Sequence, residues 1–135
     1  MIKGIIETAL YVTDLARATV FYRDVLGFEL MNHDDRFAAF SVAGRHVLLL
    51  FKQGASTEPV TIPGGTIPPH DGSGTSHVGF AVDAESLSKW RHRLVEHGVS
   101  IESTVDWTRG GTSLYFRDPD GHLLEILTPG VWSIY

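Results

Sequence analysis

The chain has 135 residues, 43% of them hydrophobic, and a formal net charge of −5, which is enough for one domain with its own core. Its eleven Lys and Arg are scattered, which argues against a nucleic-acid or anionic-membrane surface. It has no cysteine, which excludes a disulfide, a thiolate metal site and a thiol nucleophile.

In chain order, a strand is predicted over Ile5 to Val12. Asp14 then N-caps a helix whose stripe is Leu15, Ala18, Tyr22, Val25 and Leu26, with Gly27 as its C′ residue. Strands follow at Phe28 to Met31, Phe37 to Val42 and His46 to Phe51, with a turn at Gly44. From Gln53 to Ser76 the chain is rich in Gly, Pro, Ser and Thr and is expected to be a structureless connection, either a crossover or a binding loop. A strand over His77 to Val82 opens the second half. Asp83 caps a helix with Leu87, Trp90 and Leu94 on one face, ending at Gly98. Strands over Val99 to Val105, Thr112 to Phe116 and His122 to Leu127 complete it. Both halves thus read strand, helix and three strands, with Gly27 and Gly98 at matching places. An internal duplication follows. The expected boundaries are a first module over 1–53, a linker over 54–75, a second module over 76–129 and an apolar tail over 130–135.

Within the last strand, Glu125 interrupts an apolar run, His122-Leu123-Leu124-Glu125-Ile126-Leu127. Asp118-Pro119-Asp120-Gly121 before it spells a type I turn, so this run and Thr112 to Phe116 form a hairpin. A carboxylate on the core face of a hairpin strand is costly unless something positive meets it. A metal ion is one such partner; a buried Arg is the other.

Two strand-helix-three-strand modules, with Phe21-Tyr22-Arg23-Asp24-Val25-Leu26-Gly27 in the first and Asp118-Pro119-Asp120-Gly121 followed by Glu125 in the second, resemble the vicinal oxygen chelate superfamily. That superfamily holds glyoxalase I, extradiol dioxygenases, fosfomycin-modifying enzymes and bleomycin-binding proteins. The resemblance covers nearly the whole chain. It implies an α+β fold: two βαβββ modules forming a curved mixed sheet around a cavity, with helices on the outer face. It also implies divalent-metal ligands on first and last strands. The reaction does not follow, because one scaffold hosts many chemistries.

Strand alternation selects the candidate ligands. Glu125 shares a face with Leu123 and Leu127, His77 with Gly79 and Ala81, and Glu7 with Ala9 and Tyr11. Small residues beside the polar ones leave a hollow, while Val78, Phe80 and Val82, or Leu10 and Val12, point the other way into a core. Glu7, His77 and Glu125 match the superfamily's ligand positions. The fourth position falls near Leu49, which cannot bind a metal, so open positions for water or substrate remain. The first position is Glu where extradiol dioxygenases carry His. Two carboxylates make the ion a weaker Lewis acid, which disfavours ring cleavage. Each ligand has an alternative: a buried Arg partner for Glu125, a hydrogen-bonded core role for His77, and solvent exposure for Glu7.

Tyr115 matches a substrate-contacting tyrosine of the dioxygenases by its offset from Glu125, and is otherwise a core Tyr with a wet hydroxyl. Trp107 and Arg109, in a loop with Gly110 and Gly111, are candidates for substrate binding, Arg109 as a carboxylate or enolate clamp. Tyr11 joins them on the Glu7 face. His70, beside Asp71 in the linker, is a candidate acid-base group; a surface turn is its alternative. His33, His46, His92, His97 and His122 receive no role.

The function expected is a metal-dependent enzyme, lyase, isomerase or dioxygenase, acting on a small oxygenated substrate through one divalent ion (Zn, Ni, Mn or Fe). The competing reading is a metal-free antibiotic-binding protein of the bleomycin-resistance type, whose cationic ligand would suit a net charge of −5. The tail Val131-Trp132-Ser133-Ile134-Tyr135 is expected to pack on the domain or in a homodimer. The opening residues lack a signal-peptide pattern and no stretch approaches ~18 apolar residues, so a cytoplasmic location is expected.

Overall fold

A computed structural model describes residues 1–135. The chain divides into two compact units, Met1–Gly74 and Thr75–Tyr135. Each is a βαβββ module: a mixed four-stranded sheet with a helix.

In the first unit, strands β1 (Glu7–Val12), β2 (Glu29–His33), β3 (Phe37–Val42) and β4 (His46–Lys52) lie in the order β1-β4-β3-β2. β1 runs parallel to β4, and β3 antiparallel to both of its neighbours. The connecting helix α1 (Leu15–Val20) is capped by Asp14, whose side chain accepts from the Arg17 N–H at 3.0 Å. It then widens into a π-turn over Phe21–Val25, closed by a bond from the Leu26 N–H to the Phe21 carbonyl. Phe21, Tyr22 and Val25 are all buried along this wider turn. Leu10, Val12, Phe40, Leu48 and Leu50 form the core with Ala18 and Tyr22. Burying each of the large apolar side chains is worth about 1.5–3 kcal/mol.

The other face of this sheet is open. Glu7 and Ala9 are exposed and Tyr11 is half-buried, in register with Val47, Leu49 and Phe51. The β3–β4 turn carries an unforeseen strain. In the three residues between the strands, Ala43 has φ 54° beside Gly44 at φ 65°, two successive positive values closed by the Arg45 N–H on the Val42 carbonyl.

The connection after β4 is not structureless. Val60–Ile62 (β5) and Gly65–Ile67 (β6) pair as a short antiparallel hairpin turned at Pro63-Gly64. The apolar residues Val60, Ile62 and Ile67, spread among Thr and Gly, were too few to show as a strand period.

In the second unit, β7 (His77–Ala81), β8 (Ser103–Asp106), β9 (Thr112–Arg117) and β10 (Leu123–Leu127) lie in the order β7-β10-β9-β8, with β7 parallel to β10. Two expectations need correction here. Asp83 makes no side-chain cap. A 3-10 turn over Ala84–Ser86 comes first, and helix α2 (Leu87–Glu96) begins after it. The strand expected from Val99 starts only at Ser103, because the Val99 N–H is spent on the Leu94 carbonyl in the helix C-terminal turn. Leu114, Phe116, Leu124, Ile126 and Leu94 are fully buried. The β9–β10 turn follows the sequence closely. Asp118 Oδ1 accepts from the N–H of Asp120 and of His122, and Gly121 takes φ 83°. No helix is long and apolar enough to cross a membrane.

Candidate metal centre

Glu125 is 6% exposed, on the central strand of the second sheet. Its neighbours across the ladders are Gly79 on β7 and Tyr115 on β9. Its ion-pair partner is a histidine, not an arginine. Oε2 lies 3.2 Å from Nε2 of His77, whose side chain is half exposed. Oε1 is buried with no hydrogen-bond partner. A buried, unmatched carboxylate oxygen costs about 1–3 kcal/mol and calls for an explanation.

The histidine supplies half of that explanation. Its Nδ1 is 2.9 Å from the Leu123 carbonyl oxygen. A carbonyl only accepts, so Nδ1 carries the hydrogen, and the ring presents Nε2 to Glu125. Two acceptors facing each other at that distance repel unless a proton or a metal cation lies between them. Locking of the ring by Nδ1–H on a backbone carbonyl is the usual support of a metal-binding histidine.

Gly79 supplies space. A Cβ there would crowd Leu127 Cδ2 at 3.0 Å and come into contact with Glu125 Oε2 at 3.5 Å, so the glycine keeps the space beside the carboxylate open. Its selection follows from strand alternation, since it shares the face of His77. An orphaned oxygen, an oriented imidazole and a vacant Cβ position fit a divalent cation. Nowhere in the chain, however, do three or more His, Asp or Glu side chains converge as a group able to hold one. Glu7 belongs to the first unit and is exposed there.

Tyr115 borders the pair, its ring centroid 6.3 Å from that of His77. Burial, reinforced by the Glu125 charge and by a hydrogen bond to the Glu125 carboxylate, pushes its phenol above the ordinary value of 10.0. The group therefore keeps its proton through the neutral range. Trp107 is held away from free rotation by a bond from Nε1–H to Ser113 Oγ at 2.8 Å. Arg109 is exposed in the same loop, which closes through Trp107 N–H on the Gly111 carbonyl. Gly111 is required there: a Cβ would strike the Val131 backbone nitrogen at 2.5 Å. The tail continues to Tyr135, whose hydroxyl donates to the carbonyls of Val82 and Leu127, leaving Trp132 and Ile134 exposed.

His70 and Tyr11 meet in the first unit. The Tyr11 hydroxyl is 2.7 Å from His70 Nδ1, and the His70 ring stands edge-on to Phe51 at 4.4 Å. Gly72 packs directly on the Tyr11 ring, where a Cβ would lie 2.5 Å from Cδ2. Asp71 is not His70's partner; it accepts from the Gly54 N–H instead. Two polar residues without a sequence signal also emerge. His122 is 1% exposed and accepts from the Ser76 N–H, pinning the start of β7. Ser56, a small polar residue in a polar stretch, is buried.

The matches to known proteins agree with this architecture. Residues 4–126 match the Glyoxalase/Bleomycin resistance protein/Dioxygenase superfamily, and the chain belongs to it. It is 31% identical over 129 residues to the metallothiol transferase FosB of Staphylococcus haemolyticus, spanning 95% of this chain and 85% of that protein. It is 28% identical to the glutathione transferase FosA of Serratia marcescens, over 93% of this chain and 81% of that one. Among solved structures, a lactoylglutathione lyase from Agrobacterium tumefaciens superposes with a TM-score of 0.88 at 33% identity, covering 98% of both chains.

Proposed function

We propose that this protein is a metal-dependent enzyme of the glyoxalase and thiol-transferase kind, acting on a small oxygenated substrate. The observation that carries the reading is the His77–Glu125 pair, with an oriented Nε2 and a buried, unpartnered carboxylate oxygen. These two residues hold one divalent ion, zinc, nickel, manganese or iron, and Glu7 supplies the third ligand from a second copy of the chain. That assignment is supported by the exposure of Glu7 and by the exposed apolar side chains of Ile5, Ile6, Trp132 and Ile134. When bound, the ion supplies Lewis-acid stabilisation of negative charge on a substrate oxygen.

The chain's own residues do the rest. Tyr115, kept protonated, donates a hydrogen bond toward an oxygen lying beside Glu125. Tyr11 fixes the ring of His70, which serves as the acid-base group. Trp107 offers an apolar wall, and Arg109 a cation for an anionic end of the substrate. The names of the transferase and lyase relatives favour a substrate containing or receiving a thiol.

The test is metal content and turnover together. Protein purified without chelator is analysed for metal, stripped, and assayed with each ion on a thiol-epoxide pair and on a thiol-aldehyde adduct. Bound metal with ion-dependent turnover supports the reading. Protein that takes up no divalent ion would leave the metal-free binding protein in its place.

A further inference from the structure

In the second unit, the tail crosses the end of its own sheet. It leaves β10 beside the β8–β9 loop, where Thr128 Oγ1 accepts from the Thr112 N–H at 2.8 Å and the Thr128 N–H donates to the Thr112 carbonyl at 3.1 Å. Gly130 then runs directly over Gly111. A Cβ on Gly130 would lie 2.6 Å from the Gly111 nitrogen and 3.0 Å from the Arg109 carbonyl oxygen, and one on Gly111 would lie 2.5 Å from the Val131 nitrogen. Two backbones come this close only where neither residue carries a side chain. At its far end the tail is fastened again, by the Tyr135 hydroxyl on the carbonyls of Val82, just after β7, and Leu127, the last residue of β10. The sheet order is β7-β10-β9-β8, so the tail spans from the loop after β8 to the end of β7.

The loop under the tail carries Trp107 and Arg109. Its own closure is short: the Trp107 N–H meets the Gly111 carbonyl, and the Gly110 N–H meets the Trp107 carbonyl. Two adjacent glycines end it, Gly110 with φ 101°, and glycine backbone freedom would let the neighbouring Arg109 take several positions. Ser113 fixes the Trp107 indole at 2.8 Å, whereas the backbone at Arg109 meets the tail, through Gly130. We propose that the tail is a strap, with Gly130 and Tyr135 as positioning residues that hold Arg109 where it meets an anionic end of the substrate. The strap removes in advance freedom that the loop would otherwise lose on binding, so its effect falls on affinity rather than on the chemical step. The meeting of Arg109 with substrate rests on the proposed function; the coupling of tail to loop does not.

Trypsin cleavage after Arg109, followed by mass spectrometry on the full chain, reads the loop directly. Cleavage after Arg91, exposed on helix α2 of the same unit, reports general unfolding and is the internal reference. Tyr135→Phe removes only the hydroxyl and should speed cleavage at Arg109 about tenfold relative to Arg91, because the loosened tail populates the open loop. Gly130→Ala should act in the same direction, and Tyr135→Phe carries the test if that variant does not fold. In the turnover assay Tyr135→Phe should raise KM and leave kcat unchanged. Added to Arg109→Ala, it should change neither, since the strap acts through Arg109. Unchanged cleavage at Arg109 in the folded variants, or parallel rises at Arg109 and Arg91, would overturn the inference. A rise in KM that persists without Arg109 would do the same. Tail-dependent cleavage in a protein that takes up no metal and turns over no substrate would support the strap and count against the proposed function alone.

Discussion

Glu125→Ala separates a metal ligand from a structural carboxylate, and the structure sets its size. Without metal, the change removes a pair with a half-exposed histidine, worth about 0–1 kcal/mol. It also removes a buried unpartnered oxygen, a gain of about 1–3 kcal/mol, and leaves a small void that costs about 1–2 kcal/mol. The sum lies near zero, so the stripped variant should melt close to the stripped wild type. With metal at a hundred times its dissociation constant, the wild type gains about 2.7 kcal/mol. For a chain of this size about 3–5 °C accompanies each kcal/mol, so its midpoint should rise by about 10 °C. The variant should not respond, and Glu125→Gln should respond weakly, keeping the shape without the charge. The assay is a thermal melt of stripped protein with and without each divalent ion. A wild-type midpoint indifferent to every ion, together with a loss above about 3 kcal/mol in stripped Glu125→Ala, would refute the reasoning.

Gly79→Ala should weaken metal binding in an equilibrium titration and lower stability by about 1–2 kcal/mol, because its Cβ meets Leu127 at 3.0 Å beside the carboxylate. If Glu7 comes from a second copy, mixing Glu7→Ala chains with Glu125→Ala chains should restore metal binding that neither has alone; no restoration would place all ligands in one chain. Tyr115, with its folded-state pKa raised above 10.0, contributes stability that is complete below that value. That stability is lost as pH rises through the higher folded value. Denaturant melts across the alkaline range should show a shallower decline in Tyr115→Phe. Ala43→Gly should stabilise by about 0.4–1 kcal/mol in urea unfolding, since position 43 holds φ 54°.

Much of the molecule was legible in the residues. The alternation of Leu10 and Val12 against Glu7 and Ala9 marked which face of β1 is core, because a strand's side chains can only alternate. Asp118-Pro119-Asp120-Gly121 dictated its own turn, since each residue suits one backbone conformation. Glu125 stood out because a carboxylate in an apolar run needs a partner. What such signals lack is the third dimension. Gly79 was only one small residue among several until the ladder set it beside Glu125. The role of Leu123 as the acceptor that orients His77 depends on a backbone carbonyl, which carries no mark in the sequence. The pairing of Tyr11 with His70, far apart in the chain, and the burial of Ser56 arise from where the connection after β4 folds back on its sheet. Local chemistry decides turns, caps and the inner face of a strand, because those depend on neighbours a few residues away. Tertiary packing alone decides which distant polar atoms meet and which buried ones are left unpaired, and those atoms carry the function.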